Sequence, residues 1–490
     1  MPEPATASFR RDQVRNGIIY LMPVLVNSLL PFLTMPVFTR ILSSEDYGVL
    51  ALATIYAMLA SGMANFGMNA VYNRNFFQYR GSEAESLQLL SSTLGLVIAN
   101  FVVWALVTFV ARDGLARLII GAPGHGDFLF WTVCGQFASG ISWYYLAFLR
   151  NSEMAIRFAL CTVAGSVLNL GAAYYLVVVA RVGVVGLVWG QLFAGSLVFL
   201  WLSVDFFRHQ PVRLNRAMLL ESVRLGTPML PKVLLGVAGS QLDKYLVGML
   251  ASLGGAGVYS IGQRVALVVF TFMTALYNVC QPQVFRRMFE LGDEGGQAVG
   301  AYLTPFAYAS VAIALPVALF AQEAIAVLTP ASYHGAADIV TILSMYYGLL
   351  FFNMHPQLLY AKKMLLMSVL GVCSVAVNAL VTVPLVLKWG AEGAAWATLL
   401  ASLFSGTLYY RFSQRHYRIH WQRGRVLAIY GVFLGSALLL LALRRMAMAY
   451  ELLLTMKVVA VLAYVCVGIR IGILTRDSLR VVGGLVTHHR

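Results

Sequence analysis

Apolar runs of about 20 residues recur along the whole chain, separated by short polar stretches. A helix crossing the hydrocarbon core of a bilayer needs about that length. The runs predict an all-α integral membrane protein of about fourteen transmembrane helices, near 16–38, 48–70, 87–111, 128–149, 157–180, 183–205, 226–250, 257–282, 300–322, 338–360, 365–387, 391–411, 426–444 and 450–473. Spans 5–6 and 11–12 are joined by very short turns and should form antiparallel hairpins. No polar stretch is long enough for a soluble domain.

Between the first two runs lies PVFTRILSSEDYGV, residues 36–49, with Arg40, Glu45 and Asp46 at a short turn and Gly48 opening the next run. Charges this close to hydrocarbon are costly, which places the stretch in a loop at the membrane surface. A weaker echo, MLASLGGAGVYS, occupies residues 249–260. Other features repeat at nearly the same spacing. Arg15 and Gly17 align with Arg224 and Gly226, Pro23 with Pro231, and Gly48 with Gly257. Asn169 aligns with Asn378, and Gly183, Gly186 and Trp189 align with Gly390, Gly393 and Trp396. Spans 1–6 and 7–12 therefore read as two parallel copies. An even number of spans gives both copies the same orientation, related by an axis along the membrane normal. The expected organisation is an N-lobe over residues 1–210, a C-lobe over 211–412, and two further spans with a cytoplasmic tail over 413–490. The repeated glycines suit tight turns and close helix packing. The prolines of spans 1 and 7 suit bent helices. The Asn169 and Asn378 amides suit bonds between helices.

Composition excludes a soluble alternative. Of 490 residues, 60% are apolar and only 11% charged, with a mean hydropathy of +0.76, too few charges to coat even a large core. The net charge of +15 resides in short loops with no basic stripe, so no nucleic-acid partner is expected. Instead it reports topology. With the N-terminus inside, 23 Lys and Arg residues fall on the cytoplasmic side and 7 on the other, and the remaining 5 lie within spans. This places both termini in the cytoplasm and the 36–49 stretch outside. The polar start precedes an apolar run without an A-x-A-like cleavage site, the pattern of a retained anchor. The five cysteines sit in apolar runs without CxxC spacing and read as small buried hydrophobes, neither disulfides nor metal ligands.

Charges within spans are the functional candidates. Span 7 carries Asp243 and Lys244 about seven residues from its outer end, and span 8 carries Arg264 at similar depth. The aligned first-copy residues Thr34, Met35 and Ile55 are uncharged. An intramembrane charge should face a bundle interior or an aqueous cavity, as an ion pair or as a functional group; both readings are open here. Lys232 near the start of span 7 and Arg74 at the end of span 2 suit either a cytoplasm-facing cavity or a snorkel to headgroups. Lys457 and Arg470 lie in span 14. His355, beside Pro356 in span 10, suits a proton site or a satisfied interior histidine. Catalytic signatures are missing: there is no GxxxxGK[ST], HExxH or GxSxG and no carboxylate cluster for Mg²⁺, so neither an enzyme nor a cofactor is expected.

The stretch FTRILSSEDYGVLAL resembles the first-loop signature of bacterial polysaccharide flippases, the Wzx-type branch of the multidrug/oligosaccharidyl-lipid/polysaccharide exporter superfamily. SQLDKYLVGML, GVYSIGQRVA, EAIAVLTPASYHGAADI and GAEGAAWATLLAS extend the resemblance over nearly the whole chain. It implies two six-helix lobes around a central cationic cavity that opens alternately to each side of the bacterial inner membrane. The implied cargo is an undecaprenyl-pyrophosphate-linked oligosaccharide for exopolysaccharide, O-antigen (lipopolysaccharide) or capsule synthesis. Membrane lipids, and a polysaccharide polymerase or export apparatus, are the implied partners. The cations available for a pyrophosphate are Arg264, Lys244, Lys232 and Arg74, and Asp243 is the candidate for ion coupling. Tyr72, Tyr144, Tyr145, Tyr245 and Tyr259 would stack on sugars or belong to an interfacial belt. Arg40, Glu45 and Asp46 match the signature outside the cavity, with a turn-stabilising or gate-latching role. Related exporters leave two alternatives, a multidrug/cation antiporter and a flippase of the peptidoglycan lipid precursor.

Overall fold

Ser43 and Asp46 start the helix that organises the first half of the protein. In the computed structural model the Ser43 amide donates to Asp46 Oδ2 (2.9 Å) and the Asp46 amide donates to Ser43 Oγ (3.1 Å). This capping box satisfies donors that a helix start leaves open. The two carboxylates in the first turn, Glu45 and Asp46, also complement the helix dipole. The structure describes residues 19–474 apart from 20, 21, 24, 25, 28, 80, 81, 209–213, 354 and 447; the polar start and the tail lie outside them.

Every regular element among the described residues is helical. Ten helices are long and apolar enough to cross a membrane, and α1 (Leu29–Ile41) is a shorter apolar helix. One of the ten, α15 (Met364–His416), is broken at Gly390, whose backbone (φ 57°, ψ −133°) no L side chain tolerates, so it supplies spans 11 and 12. Two more, α5 (Gly126–Asn151) and α9 (Leu230–Leu250), are of spanning length but more polar. Together these account for thirteen of the fourteen expected spans, and α1 overlaps the end of the first. Large apolar side chains such as Val110, Leu365 and Leu380 stay exposed in numbers only a lipid surroundings tolerates. The protein is a multi-pass membrane protein.

The chain divides into two compact units, Met1–Gly257 and Val258–Arg490. The first holds α1, α2 (Ser44–Asn65), α3 (Met68–Gln78), α4 (Glu83–Ile119), α5, α6 (Ala155–Tyr174), α7 (Val185–Phe207), α8 (Arg216–Gly226), α9 and the first turn of α10 (Leu253–Leu291). Helix α5 lies at its centre, packed on α2, α4 and α7, with Phe101 and Phe137 stacked at 4.2 Å. Helices α2 and α9 approach along their length through small residues. A Cβ on Gly248 would press Leu52 Cδ1 at 2.7 Å, and where α3 begins beside the end of α8 one on Gly67 would press the Gly226 carbonyl at 2.8 Å. One end of this seam is reciprocal: a Cβ on Gly48 would overlap the Leu253 carbonyl, and one on Gly257 would overlap the Ser44 carbonyl. Close backbone approach at small residues is how apolar helices gain dispersion contacts in lipid, where water supplies no driving force. The Gly48–Gly257 alignment of the repeat is thus a physical contact. Gly183 (φ 75°) matches Gly390 in the same way, each a left-handed break between hairpin helices.

The second unit holds the rest of α10, then α11 (Gly295–Leu319), α12 (Ala321–Leu328), α13 (Ala336–Leu349), α14 (Pro356–Tyr360), α15, α16 (Arg423–Arg445) and α17 (Tyr450–Arg470). Helix α16 packs on α11, α13 and α17. Tyr430 on α16 shares a hydrogen bond with Ser310 (3.1 Å) and donates to the Gly348 carbonyl (3.1 Å), and Tyr464 on α17 stacks on Tyr308 at 4.5 Å. Spans 13 and 14 are therefore part of the core of this unit. Span 10 is not continuous as expected: a 3₁₀ turn, Leu350–Asn353, separates α13 from α14. Span 7 is bent where expected, at Pro228 in the 3₁₀ turn Thr227–Met229 between α8 and α9. Among the cysteines, Cys161 and Cys280 are buried as expected, but Cys373 and Cys466 sit on exposed apolar faces; all five are free thiols.

Candidate functional site

Helix α2 ends at Asn65 because Phe66 and Gly67 both turn left-handed, and α3 resumes at Met68 in a new direction. The break leaves polar side chains facing one space in the first unit. A cavity of about 430 Å³ lies there, lined by Ser61, Asn65 and Asn69 from the α2–α3 corner, Gln136 from α5, and Val233 and Gly236 from α9. Its polar lining is made of amides and a hydroxyl. None of the proposed cations lines it among the described side chains.

The amides form a ladder at a spacing of four residues. Asn65 Nδ2 donates to Asn69 Oδ1 (3.1 Å), and Asn69's own amide N–H donates to Asn65 Oδ1 (3.2 Å). Tyr144 Oη donates to the same Asn65 Oδ1 at 2.7 Å. One turn on, Asn73 Nδ2 donates to the Asn69 carbonyl (3.0 Å), while Asn73 Oδ1 accepts from Asn151 Nδ2 (3.0 Å) and Arg150 Nη2 (3.2 Å). Asn65 is anchored on both sides, whereas Asn69 is exposed at the cavity wall. A planar amide offers donors and an acceptor side by side without charge, a suitable match for neutral hydroxyl groups. The sequence reading passed over this ladder, although its signal was present as asparagines at 65, 69 and 73.

The expected site residues are dispersed. Asp243 is buried (8% exposed) on α9, seven residues from its end at Leu250. Lys244, half-buried beside it, donates to Gln241 Oε1 (2.9 Å). Lys232 falls in the first turn of α9, and its side chain lies outside the described ones. Arg74 on α3 is largely exposed, donates to Asn75 Oδ1 (2.8 Å) and stands 3.9 Å from Glu221. Arg264 is half-buried on α10 in the second unit. Of the signature, Arg40 and Glu45 are exposed, Asp46 caps α2, and Gly48 makes the backbone crossing.

Two expectations about neighbours need correction, those for the tyrosines and for Asn378. Tyr72, Tyr144, Tyr145 and Tyr259 are fully buried, with Tyr72 and Tyr144 packed edge-to-face at 5.6 Å, so their faces are closed to any cargo. Asn378 accepts from Thr382 Oγ1 (2.9 Å) within its own helix rather than bridging helices. His355 is buried and stacked on Tyr409 at 4.7 Å.

The same architecture occurs in solved transporters. The lipid II flippase MurJ in its inward closed conformation superposes with a TM-score of 0.68 at 13% identity, covering 92% of this chain and 98% of that one. A multidrug resistance MATE family transporter in its inward-facing conformation gives 0.60 at 15% identity, covering 81% and 97%. A Vibrio cholerae MATE transporter, VcmN, gives 0.55 at 17% identity, covering 84% and 98%. No curated protein matches the sequence. The profile of a family described as "Polysaccharide biosynthesis protein" matches residues 13–286, more than half of the chain. The chain belongs to this polysaccharide biosynthesis protein family, and its fold is that of these solved transporters.

Proposed function

We propose that this transporter flips an undecaprenyl-pyrophosphate-linked oligosaccharide from the inner to the outer leaflet of the bacterial inner membrane, by alternating access. The observation that carries the reading is the amide-lined cavity of the first unit, within a chain of the polysaccharide biosynthesis family. Moving a sugar through a membrane protein strips water from many hydroxyls, and each unpaired one costs several kcal/mol in an apolar medium. Ser61, Asn65, Asn69 and Gln136 supply neutral donors and acceptors to replace that water. The pyrophosphate needs cations in a low-dielectric setting, and Arg264, Lys244, Lys232 and Arg74 take that role, with Asp243 as the coupling carboxylate. In this reading residues 1–210 and 211–412 act as two lobes, 413–490 completes the second, and both termini are cytoplasmic.

A deletion strain supplies the test. It should lose surface polymer while keeping a normal cell wall, and polymer of normal amount would sink the proposal. A thinned wall would point to the peptidoglycan precursor as cargo, and drug sensitivity alone to a multidrug antiporter. Arg264→Ala, Lys244→Ala and Asn69→Ala should each cut export at unchanged membrane abundance. Full export in all three would mean that the cargo path lies elsewhere.

A further inference from the structure

The second unit contains a separate polar cavity of about 340 Å³, beside the turn that joins α16 to α17. Its polar wall is Gln322 on α12, His334, Asp338 on α13 and Arg444 on α16, over an apolar floor that includes Ile325 and Leu453. The Arg444 side chain is nine-tenths buried, and its Nη1 donates to Asp338 Oδ1 at 3.0 Å. Its Nε and Nη2 are also buried and have no partner among the described residues. A buried guanidinium with two unmet donors calls for oxygen atoms from outside the chain.

We propose that this cavity is a carbohydrate-binding subsite, distinct from the amide-lined cavity of the first unit. An anion such as phosphate would meet the Arg444 donors but would also face the Asp338 carboxylate in the same wall. Adjacent hydroxyls of a sugar ring satisfy both, accepting from Arg444 and donating to Asp338, with Gln322 and His334 able to do either. The apolar floor of Ile325 and Leu453 suits the C–H face of a pyranose. The volume is at the lower end for small-molecule sites, the size of one or two sugar rings. The inference deepens the proposed function, on which its physiological meaning rests: the α16–α17 turn is on the outer side in the charge-derived topology, where an oligosaccharide would arrive.

The experiment uses the full-length protein in lipid nanodiscs. Binding of methyl glucoside, methyl galactoside, methyl mannoside and methyl rhamnoside is read by saturation-transfer NMR. At least one should bind saturably, and binding should persist in Asn69→Ala. Arg444→Gln should weaken it at least tenfold and Gln322→Ala at least threefold. Gln322→Ala leaves the Arg444–Asp338 pair in place and carries the test if Arg444→Gln does not fold. No saturable binding, unchanged binding in Gln322→Ala, or displacement by equimolar inorganic phosphate would overturn the inference. Polymer loss in the deletion strain without sugar binding here removes only this subsite; normal polymer in that strain removes the proposed function whatever binds.

Discussion

Lys457 has no exposed surface on α17, and its Nζ pairs with Glu323 on α12. Tyr450 Oη donates to the same carboxylate oxygen at 2.9 Å, and the rings of Phe320 and Tyr450 lie 5.7 and 5.6 Å from the ammonium. Glu323→Ala strands the ammonium in an apolar setting. Breaking a buried pair from one side costs about 3–5 kcal/mol. The Glu323 side chain is 27% exposed, so the lower end, about 3 kcal/mol, is expected. For a unit of this size that corresponds to a Tm lower by roughly 6–12 °C. Lys457→Met should cost only about 1 kcal/mol, because Glu323 is partly exposed and keeps the Tyr450 hydroxyl. The double variant should resemble Lys457→Met alone, giving a coupling of about 3 kcal/mol. Size-exclusion of the heated, detergent-solubilised full-length protein measures all four corners of the cycle. A Glu323→Ala protein within 2 °C of wild type, or a double variant as unstable as Glu323→Ala, would refute the assignment.

Acidity gives a further handle on the same pair. Burial raises the Glu323 carboxyl, but hydrogen bonds from Lys457, its own backbone and Tyr450 outweigh this and hold it below its ordinary 4.5. The stabilisation is therefore full above about pH 4.5 and lost as pH falls through the lower folded value. Wild-type and Glu323→Gln melting curves should converge on acidification below pH 4.5; a constant gap would contradict the depressed carboxyl. At the glycine crossing, Gly48→Ala and Gly257→Ala should each destabilise by about 1–3 kcal/mol, since the new methyl meets a carbonyl that cannot swing aside. Gly431→Ala, with open space around it, should be neutral or stabilising in the same melting assay. Equal effects at all three positions would dissolve the claim of a tight crossing.

Much of the architecture was legible in one dimension. Apolar run length is a local property, so the spans emerged from the sequence even where one helix, α15, joins two of them across Gly390. Of the expected repeat, the matched glycines at 48 and 257 and at 183 and 390 were legible because close approach and positive φ are local demands on one residue. What escaped depends on partners far apart in the chain. Tyr72 and Tyr144 look like cargo platforms until each is seen covering the other. Lys457 looks like an isolated charge because Glu323 lies 134 residues away. The amide ladder was hidden differently: its spacing of four runs through the Phe66–Gly67 break, which apolar periodicity does not report. The break in span 10 was hidden because Leu350–Asn353 stays apolar through most of its 3₁₀ turn.

The crossing at Gly48 and Gly257 has one more consequence. Each glycine sits against the carbonyl of the residue that opens the other's helix, Leu253 for Gly48 and Ser44 for Gly257. Exchanging the two segments leaves the contact unchanged, which is the defining property of an isologous interface between identical subunits. A single six-span copy carrying this glycine would already hold the self-complementary surface needed to pair with its twin.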